Sequence, residues 1–271
     1  MKRRIGSREY DLSKRTLVMG IINVTPDSFS DGGSYTTVEA AVKQAQKLAA
    51  DGADILDIGG ESTRPGFEPV STDEEIARVV PAIRAIREVV DLPISIDTYK
   101  ANTAEAAIEA GASIINDIWG AKCDPEMADV AARTGVPIIL MHNRKEARYD
   151  DLIPDMIKDL EESIAIALKA GVKQEDIWLD PGIGFVKSFE ENMTAMRQLD
   201  KITALGYPVL LGTSRKRFIG TVLDLPADER DEGTAATTAF GITKGVHMVR
   251  VHEVKQTARM VKMMDALVRE E

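Results

Sequence analysis

Ile94-Ser95-Ile96-Asp97-Thr98-Tyr99-Lys100-Ala101-Asn102-Thr103-Ala104-Glu105-Ala106-Ala107-Ile108-Glu109-Ala110-Gly111-Ala112-Ser113-Ile114-Ile115-Asn116-Asp117 holds the rhythm of the whole chain. A short apolar run, 94–96, ends in polar residues. A stretch with helical periodicity, 101–110, follows it and stops at Gly111, where a left-handed cap is wanted. The next apolar run, 113–115, then begins and again ends in polar residues, Asn116 and Asp117.

The same pattern extends in both directions. Apolar runs fall at 17–22, 55–58, 94–96, 113–115, 137–141, 177–179, 208–211 and 247–251. Helical patterns fall at 38–50, 73–90, 101–110, 125–133, 152–170, 189–205, 233–244 and 253–268. Gly52, Gly111, Gly135, Gly171 and Gly206 each stand just past a helical stretch. Strict alternation of this kind predicts a parallel sheet. Eight units of about 30 residues predict a closed (β/α)8 TIM barrel of about 250 residues. A doubly wound sheet is the competing architecture, but it calls for Gly-x-Gly-x-x-Gly after the first strand, and that turn is missing. Before the barrel, residues 3–5 and 9–12 read as a short hairpin around Gly6-Ser7. No linker or composition shift divides the 271 residues, so 1–271 reads as a single domain.

Composition sets further bounds. With 44% hydrophobic and 29% charged residues, the chain can bury a sizeable core. Its formal net charge of −10 argues against a nucleic-acid partner, which needs a basic footprint. Any anionic substrate must then be drawn in by a local basic cluster. The single cysteine, Cys123, excludes an intrachain disulfide and a cysteine metal site, and suits a reducing compartment. The basic start, residues 1–5, has no apolar segment behind it, and no run approaches the roughly 20 residues that span a bilayer. A cytoplasmic protein with no membrane partner is expected.

Barrel enzymes place their chemistry at the C-terminal ends of the strands. Here those ends carry Asn23, Asp57, Asp97, Asn116-Asp117, Met141-His142, Asp180, Ser214 with Lys216, and Arg250 with His252. For Asp57 and Asp117, capping of the following helix stands beside a site role. Capping does not explain the basic residues. Arg250 and His252 are two apart and share a face, and Ser214-Arg215-Lys216-Arg217 follows the seventh run. Loops after strands 7 and 8 frequently bind phosphate, and arginine offers a planar fork for it. Asp97, Asn116 and Asp180 together present two carboxylates and an amide. A ring carrying an amino group beside a lactam N–H would satisfy them. Without it the carboxylates would repel, and one would have its pKa raised. A divalent metal is the rival occupant, but it leaves the Asn116 amide donor unpartnered. For Lys216 the rival role is a Schiff-base lysine. His247, Cys123, Trp119 and Trp178 read as structural residues.

These residues fall in motifs that resemble the dihydropteroate synthases. The segments are Met19–Gly33 (Met19-Gly20-Ile21-Ile22-Asn23-Val24-Thr25-Pro26-Asp27-Ser28-Phe29-Ser30-Asp31-Gly32-Gly33) and Asp57-Ile58-Gly59-Gly60-Glu61-Ser62-Thr63-Arg64-Pro65-Gly66. Ser95-Ile96-Asp97-Thr98, Asn116-Asp117-Ile118, Met141-His142, Leu179-Asp180-Pro181-Gly182-Ile183-Gly184-Phe185, Gly212-Thr213-Ser214-Arg215-Lys216 and Arg250-Val251-His252 follow in the family's order. The resemblance implies a transferase that joins 6-hydroxymethyl-7,8-dihydropterin pyrophosphate to p-aminobenzoate, with magnesium as cofactor. It implies a pterin site of Asp97, Asn116, Ile118, Met141, Asp180, Phe185, Gly212 and Lys216. Asn23, Thr63, Arg64, Arg250 and His252 would hold pyrophosphate, with Asn23 also the magnesium ligand. Phe29, Thr63, Pro65, Phe185, Ser214 and Lys216 would face p-aminobenzoate. Catalysis would fall to Asp27, Arg64, Lys216, Arg250 and His252, and Asp27, Phe29, Ser30, Thr63, Arg64 and Pro65 would belong to two loops over the site. The resemblance also implies a homodimer and inhibition by sulfonamides. A pterin-dependent methyltransferase and a non-catalytic pterin-binding barrel are the competing readings.

Overall fold

A computed structural model describes residues 1–25, 37–61 and 69–269 of the chain. The expectations placed on Asp27, Phe29, Ser30, Thr63, Arg64 and Pro65 lie outside the described residues.

The chain opens with an antiparallel hairpin, β1 (Lys2–Ile5) and β2 (Arg8–Asp11), in which Ile5 pairs with Arg8 across Gly6 and Ser7. Eight parallel strands follow: β3 (Leu17–Asn23), β4 (Ile55–Gly59), β5 (Ile94–Asp97), β6 (Ile114–Asp117), β7 (Ile138–Met141), β8 (Ile177–Asp180), β9 (Leu210–Leu211) and β10 (Met248–Val251). Their order is β8-β7-β6-β5-β4-β3-β10-β9, and a parallel bridge between Leu179 and Val209 joins β8 to β9 and closes the ring. Each strand therefore lies beside its neighbour in sequence. A doubly wound sheet would reverse that order partway, so the barrel expectation holds.

The helices alternate with the strands as expected: α1 (Thr37–Asp51), α2 (Thr72–Val89), α3 (Ala101–Glu109), α4 (Met127–Thr134), α5 (Leu152–Ala170), α6 (Phe189–Arg197), α7 (Leu199–Thr203), α8 (Arg217–Leu223), α9 (Asp231–Thr243) and α10 (Val254–Val268). The glycines expected to end helices have φ between 68° and 118°. Two departures stand out. The single helix expected at 189–205 is two, broken at Gln198, whose backbone leaves the helical region (φ −108°, ψ 23°). The seven-residue α8 follows β9 where only a basic loop was read; Phe218 and Ile219 bury its inner side. Its length is too short for helical periodicity to register.

Two apolar layers hold the fold. Residues paired across parallel strands share a face, so the register Asp57–Ser95, Gly59–Asp97, Asp97–Asn116 and Met141–Asp180 fixes which side chains point inward. Toward the strand starts the interior is apolar: Leu17, Met19, Ile55, Ile114, Ile139, Trp178, Leu210 and Met248 pack with Ile5, Tyr10 and Leu12 of the hairpin. The hairpin thus plugs that end of the barrel. Alternate residues such as Leu56, Ile58, Ile94 and Ile96 point outward and pack against helix residues including Leu48, Val79, Ile83, Ala104 and Ala107. Buried on both faces, the strands must be continuously apolar until they reach the mouth, where polarity becomes affordable only in exchange for function.

Candidate active site

The same inward parity carries Asn23, Asp57, Asp97, Asn116, Met141, Asp180 and Arg250 to the opposite, C-terminal end of the barrel. Arg250 is the hub. Its Nε donates to Asp57 Oδ2 at 2.5 Å and its Nη2 to Asp97 Oδ2 at 2.6 Å. The Asn116 amide donates to the same Asp57 oxygen at 3.3 Å. Asp57 and Asp97 each keep one buried oxygen, Oδ1, without a hydrogen-bond partner among the described residues. Unpaired buried acceptors cost free energy unless a ligand satisfies them.

Asp180 and Lys216 face this cluster from the other side. Asp180 Oδ1 accepts the Gly182 N–H at 2.7 Å. Lys216 Nζ donates to the Ile183 carbonyl and stands 4.8 Å from the centre of the Phe185 ring. At Gly212 a side chain would begin 3.9 Å from Lys216 Nζ and 4.0 Å from Asp180 Oδ2, and at Gly59 it would begin 3.7 Å from Asp97 Oδ2 and 3.9 Å from Asn23 Oδ1. Neither contact clashes. Both glycines leave open floor between the polar groups.

Burial pushes the Asp97 carboxyl well above the ordinary carboxylate range, against the pull of Arg250 and helped by Asp57. Burial likewise raises Asp180, opposed by Lys216. Burial lowers Lys216 to about 8, with Asp180 acting the other way. A raised carboxyl was expected from repulsion between Asp97 and Asp180; both carboxyls are raised, and burial rather than their mutual repulsion is the main cause. Arg250 is held charged by Asp57 and Asp97, despite its burial.

His252 and Ser214 form a pair at the edge of the ring. Ser214 Oγ lies 2.9 Å from His252 Nδ1 and accepts the His252 backbone N–H at 3.2 Å. Ser214 thereby orients the imidazole next to Arg250.

Several expectations separate here. Asp57 belongs to the ring. Asp117 does not: it points outward and accepts the Trp119 and Ala121 N–H groups at 2.8 and 2.6 Å, holding the turn that carries Ile118. Replacing Asp117 with alanine strands the buried Ala121 N–H and the half-buried Trp119 N–H and is expected to lower stability by about 2–3 kcal/mol; an unchanged denaturant midpoint would contradict this role. The basic segment is also less concerted than its sequence suggests. Arg215, at φ 57°, turns away and makes a two-pronged bond to Asp231 at 2.8 Å on each oxygen, and Arg217 is exposed on α8. Only Lys216 of that segment joins the ring, because loop curvature rather than strand alternation sets its directions. His142 is wholly buried and lies between Asp159 and Lys187, behind the ring.

No group of three or more His, Cys, Asp or Glu side chains suited to a metal occurs among the described residues. Asn23, at the inward end of β3 beside Gly59 and Asp97, offers one amide oxygen. That donor set does not make a protein cage. It fits magnesium, which keeps several waters and is held largely by substrate phosphates. A cavity of about 650 Å³ near the strand starts is lined by Lys14, Thr16, Asp54, Lys262, Asp265 and Arg269. Its carboxylates are already paired, Asp54 with Arg15 and Asp265 with Arg269, so the chemistry stays at the mouth.

A plugged barrel with an acceptor-rich ring beside an arginine–histidine edge defines a class, an enzyme of the (β/α)8 type with its polar site at the C-terminal mouth. Residues 19–252 match the family described as pterin binding enzyme, and the chain belongs to that family, among the dihydropteroate synthases. It is 62% identical over 255 residues to the dihydropteroate synthase of Bacillus subtilis (strain 168), covering 94% of this chain and 90% of that one. The crystal structure of the Clostridium difficile dihydropteroate synthase in the presence of pteroic acid is similar at 47% identity and a TM-score of 0.94, covering 96% of this chain and all of that chain. The Xanthomonas albilineans dihydropteroate synthase with 4-aminobenzoic acid is similar at 41% identity and a TM-score of 0.95, covering 100% and 99%. No helix among the described residues is long and apolar enough to cross a membrane.

Proposed function

We propose that the chain condenses 6-hydroxymethyl-7,8-dihydropterin pyrophosphate with p-aminobenzoate, giving 7,8-dihydropteroate and pyrophosphate. The observation that carries this is the ring itself: the buried Asp97 carboxylate with an unpartnered oxygen, backed by Arg250 and Asp57 and faced by Asp180 and Lys216. A pterin presents an amino group and a lactam N–H along one edge, the donors such acceptors lack. The pteroic acid and 4-aminobenzoic acid named with the related structures support the two substrate halves.

In this reading Asp97, Asn116, Asp180 and Lys216 hold the pterin, with Ile118, Met141, Phe185 and Gly212 around it. Arg250 and His252 take the pyrophosphate, and Ser214, Phe185 and Lys216 lie on the p-aminobenzoate side. Asp27, Phe29, Thr63, Arg64 and Pro65 are assigned by motif alone. Magnesium, held by Asn23 and the pyrophosphate oxygens, would neutralise charge on the leaving group. The methylene C–O bond breaks as charge builds on pyrophosphate, where the positive charge of Arg250, held in place by Asp57 and Asp97, stabilises it. The electron-rich dihydropterin spreads the positive charge left on the methylene. The neutral aromatic amine then forms the C–N bond with its lone pair, and the acidic ammonium that results gives its proton to water, so no strong base is needed. A second copy of this chain is the partner in this reading. It is supported by the exposed apolar side chains Val222 and Leu223 on α8, Phe240 on α9, and Met263 and Leu267 on α10.

The test is to supply both substrates with magnesium and look for dihydropteroate by mass. Its formation is expected; binding of the pterin without product would leave a pterin-binding module instead. A pH series refines the site. Asp97 must be ionised to accept the pterin donors, so affinity is expected to rise as the pH climbs through its raised pKa. Affinity is expected to fall again above about 8, as Lys216 loses its proton. Calorimetric titration from roughly pH 5 to 10 reads both limbs. A flat profile would contradict the assignment.

A further inference from the structure

Behind the ring lies a chain of charged and polar groups that the reaction scheme leaves unused. It centres on Lys187, in the turn between β8 and α6. This turn is built from unusual backbone: Gly182 (φ 63°), Gly184 (φ 87°) and Val186 (φ 39°) are all left-handed. A β-branched residue in that region is strained, and the surroundings must hold it there. They do so from several sides. The Tyr149 hydroxyl donates to the Val186 carbonyl at 3.1 Å. Asn192 accepts the Gly184 N–H at 2.6 Å and donates to the carbonyls of Lys187 and Ser188 at 3.1 and 2.7 Å.

From beneath, Lys187 Nζ donates to the Gly182 carbonyl at 3.0 Å and the Phe185 carbonyl at 3.3 Å. Its third corner is fixed 2.9 Å from His142 Nδ1. The other ring nitrogen, His142 Nε2, lies 3.0 Å from Asp159 Oδ2, which also takes the Arg144 Nε–H at 2.5 Å. Burial and Lys187 hold the His142 ring far below its usual pKa, to about 3, so it is neutral and accepts at Nδ1. Burial lowers Lys187 to about 7, with Asp180 and Glu191 favouring its charge and Lys216 and Arg144 opposing it. The neutral amine would still donate to both carbonyls but would have no hydrogen left for His142 Nδ1, so the lock at the imidazole belongs to the protonated ammonium.

The opposite surface of the same turn touches two of the groups assigned to the pterin, Asp180 and Lys216. The Gly182 N–H anchors the Asp180 carboxylate, and the Ile183 carbonyl receives Lys216 Nζ. The Lys216 stem lies so close to Gly184 that a side chain there would start 2.7 Å from its Cδ, and the Phe185 ring stands under the ammonium. The turn also leans on the relay: a side chain at Gly182 would begin 2.1 Å from the His142 carbonyl oxygen.

We propose that Lys187 is a positioning residue of this enzyme: locked by His142 and Asp159, it fixes the 182–185 turn and so sets the Asp180 carboxylate and the Lys216 ammonium for the pterin. The proposal rests on the pterin reading of the ring. Lys187 itself touches no substrate.

The test is Lys187→Met, which keeps the stem and removes the donors. Calorimetry of the folded variant is expected to show a dissociation constant for dihydropterin pyrophosphate raised about 10- to 100-fold. The turnover at saturating concentrations of both substrates is expected to stay within about threefold of the wild type. A general structural weakening would lower turnover along with pterin affinity, and that result, or an unchanged pterin affinity, overturns the proposal. If the variant does not fold, His142→Asn removes the lock while sparing both carbonyl bonds; a change in the same direction of about three- to tenfold is expected, and none would overturn the proposal. Wild-type protein titrated alongside keeps the two claims apart. Failure of the wild type to bind the pterin refutes the reading of the ring, whereas normal wild-type binding with an unaltered variant refutes only the role of Lys187.

Discussion

Arg250→Ala is expected to lower turnover at saturating substrates by about 10²–10³-fold and to destabilise the fold at the same time. The two effects have one cause. Arg250 joins Asp57 and Asp97 through separate nitrogens at 2.5 and 2.6 Å, and those carboxylates are 0% and 8% exposed. Removing one partner of a buried ion pair typically costs about 3–5 kcal/mol, because the remaining charges stay buried and uncompensated. The sign of the pH dependence follows. Without the arginine, nothing offsets the push of Asp57 on the Asp97 carboxyl, and the Asp97 pKa rises further. A carboxyl whose folded pKa lies above its unfolded value is most stabilising at low pH, and that contribution is lost as pH rises through the folded pKa. The deficit of the variant should therefore widen from acid to neutral pH. Arg250→Lys keeps a charge but not the planar fork and should fall between. Thermal unfolding and turnover measured on the same preparation check both effects. Unchanged turnover would remove Arg250 from the chemistry.

Asp180→Asn separates recognition from folding more cleanly. The amide oxygen can still accept the Gly182 N–H, which now bonds Asp180 Oδ1 at 2.7 Å. What changes is the atom turned toward the ligand, from an acceptor to an NH₂ donor facing the donors of the pterin edge. Sites built around hydrogen bonds discriminate strongly when a buried partner is lost. Pterin affinity is expected to drop about 10²–10³-fold, equivalent to about 3–4 kcal/mol. Stability should change little, or improve, since burial already disfavours the charged form of this carboxyl. Calorimetric titration checks the affinity, and retention of wild-type affinity would contradict the assignment of Asp180.

How much of this was legible in sequence depends on distance along the chain. Barrel strands announce themselves as apolar runs because both of their faces are covered, and even the two-residue β9 sits within the run read at 208–211. The inward parity of Asp97, Asn116, Asp180 and Arg250 follows from a period of two at strand ends. Parity between neighbours was harder. Asp57 and Asp117 look alike as strand-terminal aspartates, and only the register separates the one turned into the barrel from the one that caps a turn. Arg215 was misread as part of an anion cluster because loop geometry, not alternation, points it at Asp231. Lys187 and His142 stand 45 residues apart, and nothing in either motif tells that they meet. Contacts of that kind exist only once the barrel has closed.

The most direct measurement is a single-turnover experiment with enzyme in excess over dihydropterin pyrophosphate, magnesium present and p-aminobenzoate saturating, in which pyrophosphate and dihydropteroate are quantified together. Equal amounts of the two, with neither formed when p-aminobenzoate and enzyme are mixed without the pterin, are the expected result. Tight pterin binding with no pyrophosphate released, or dihydropteroate formed without matching pyrophosphate, would contradict the role given to the ring at the barrel mouth.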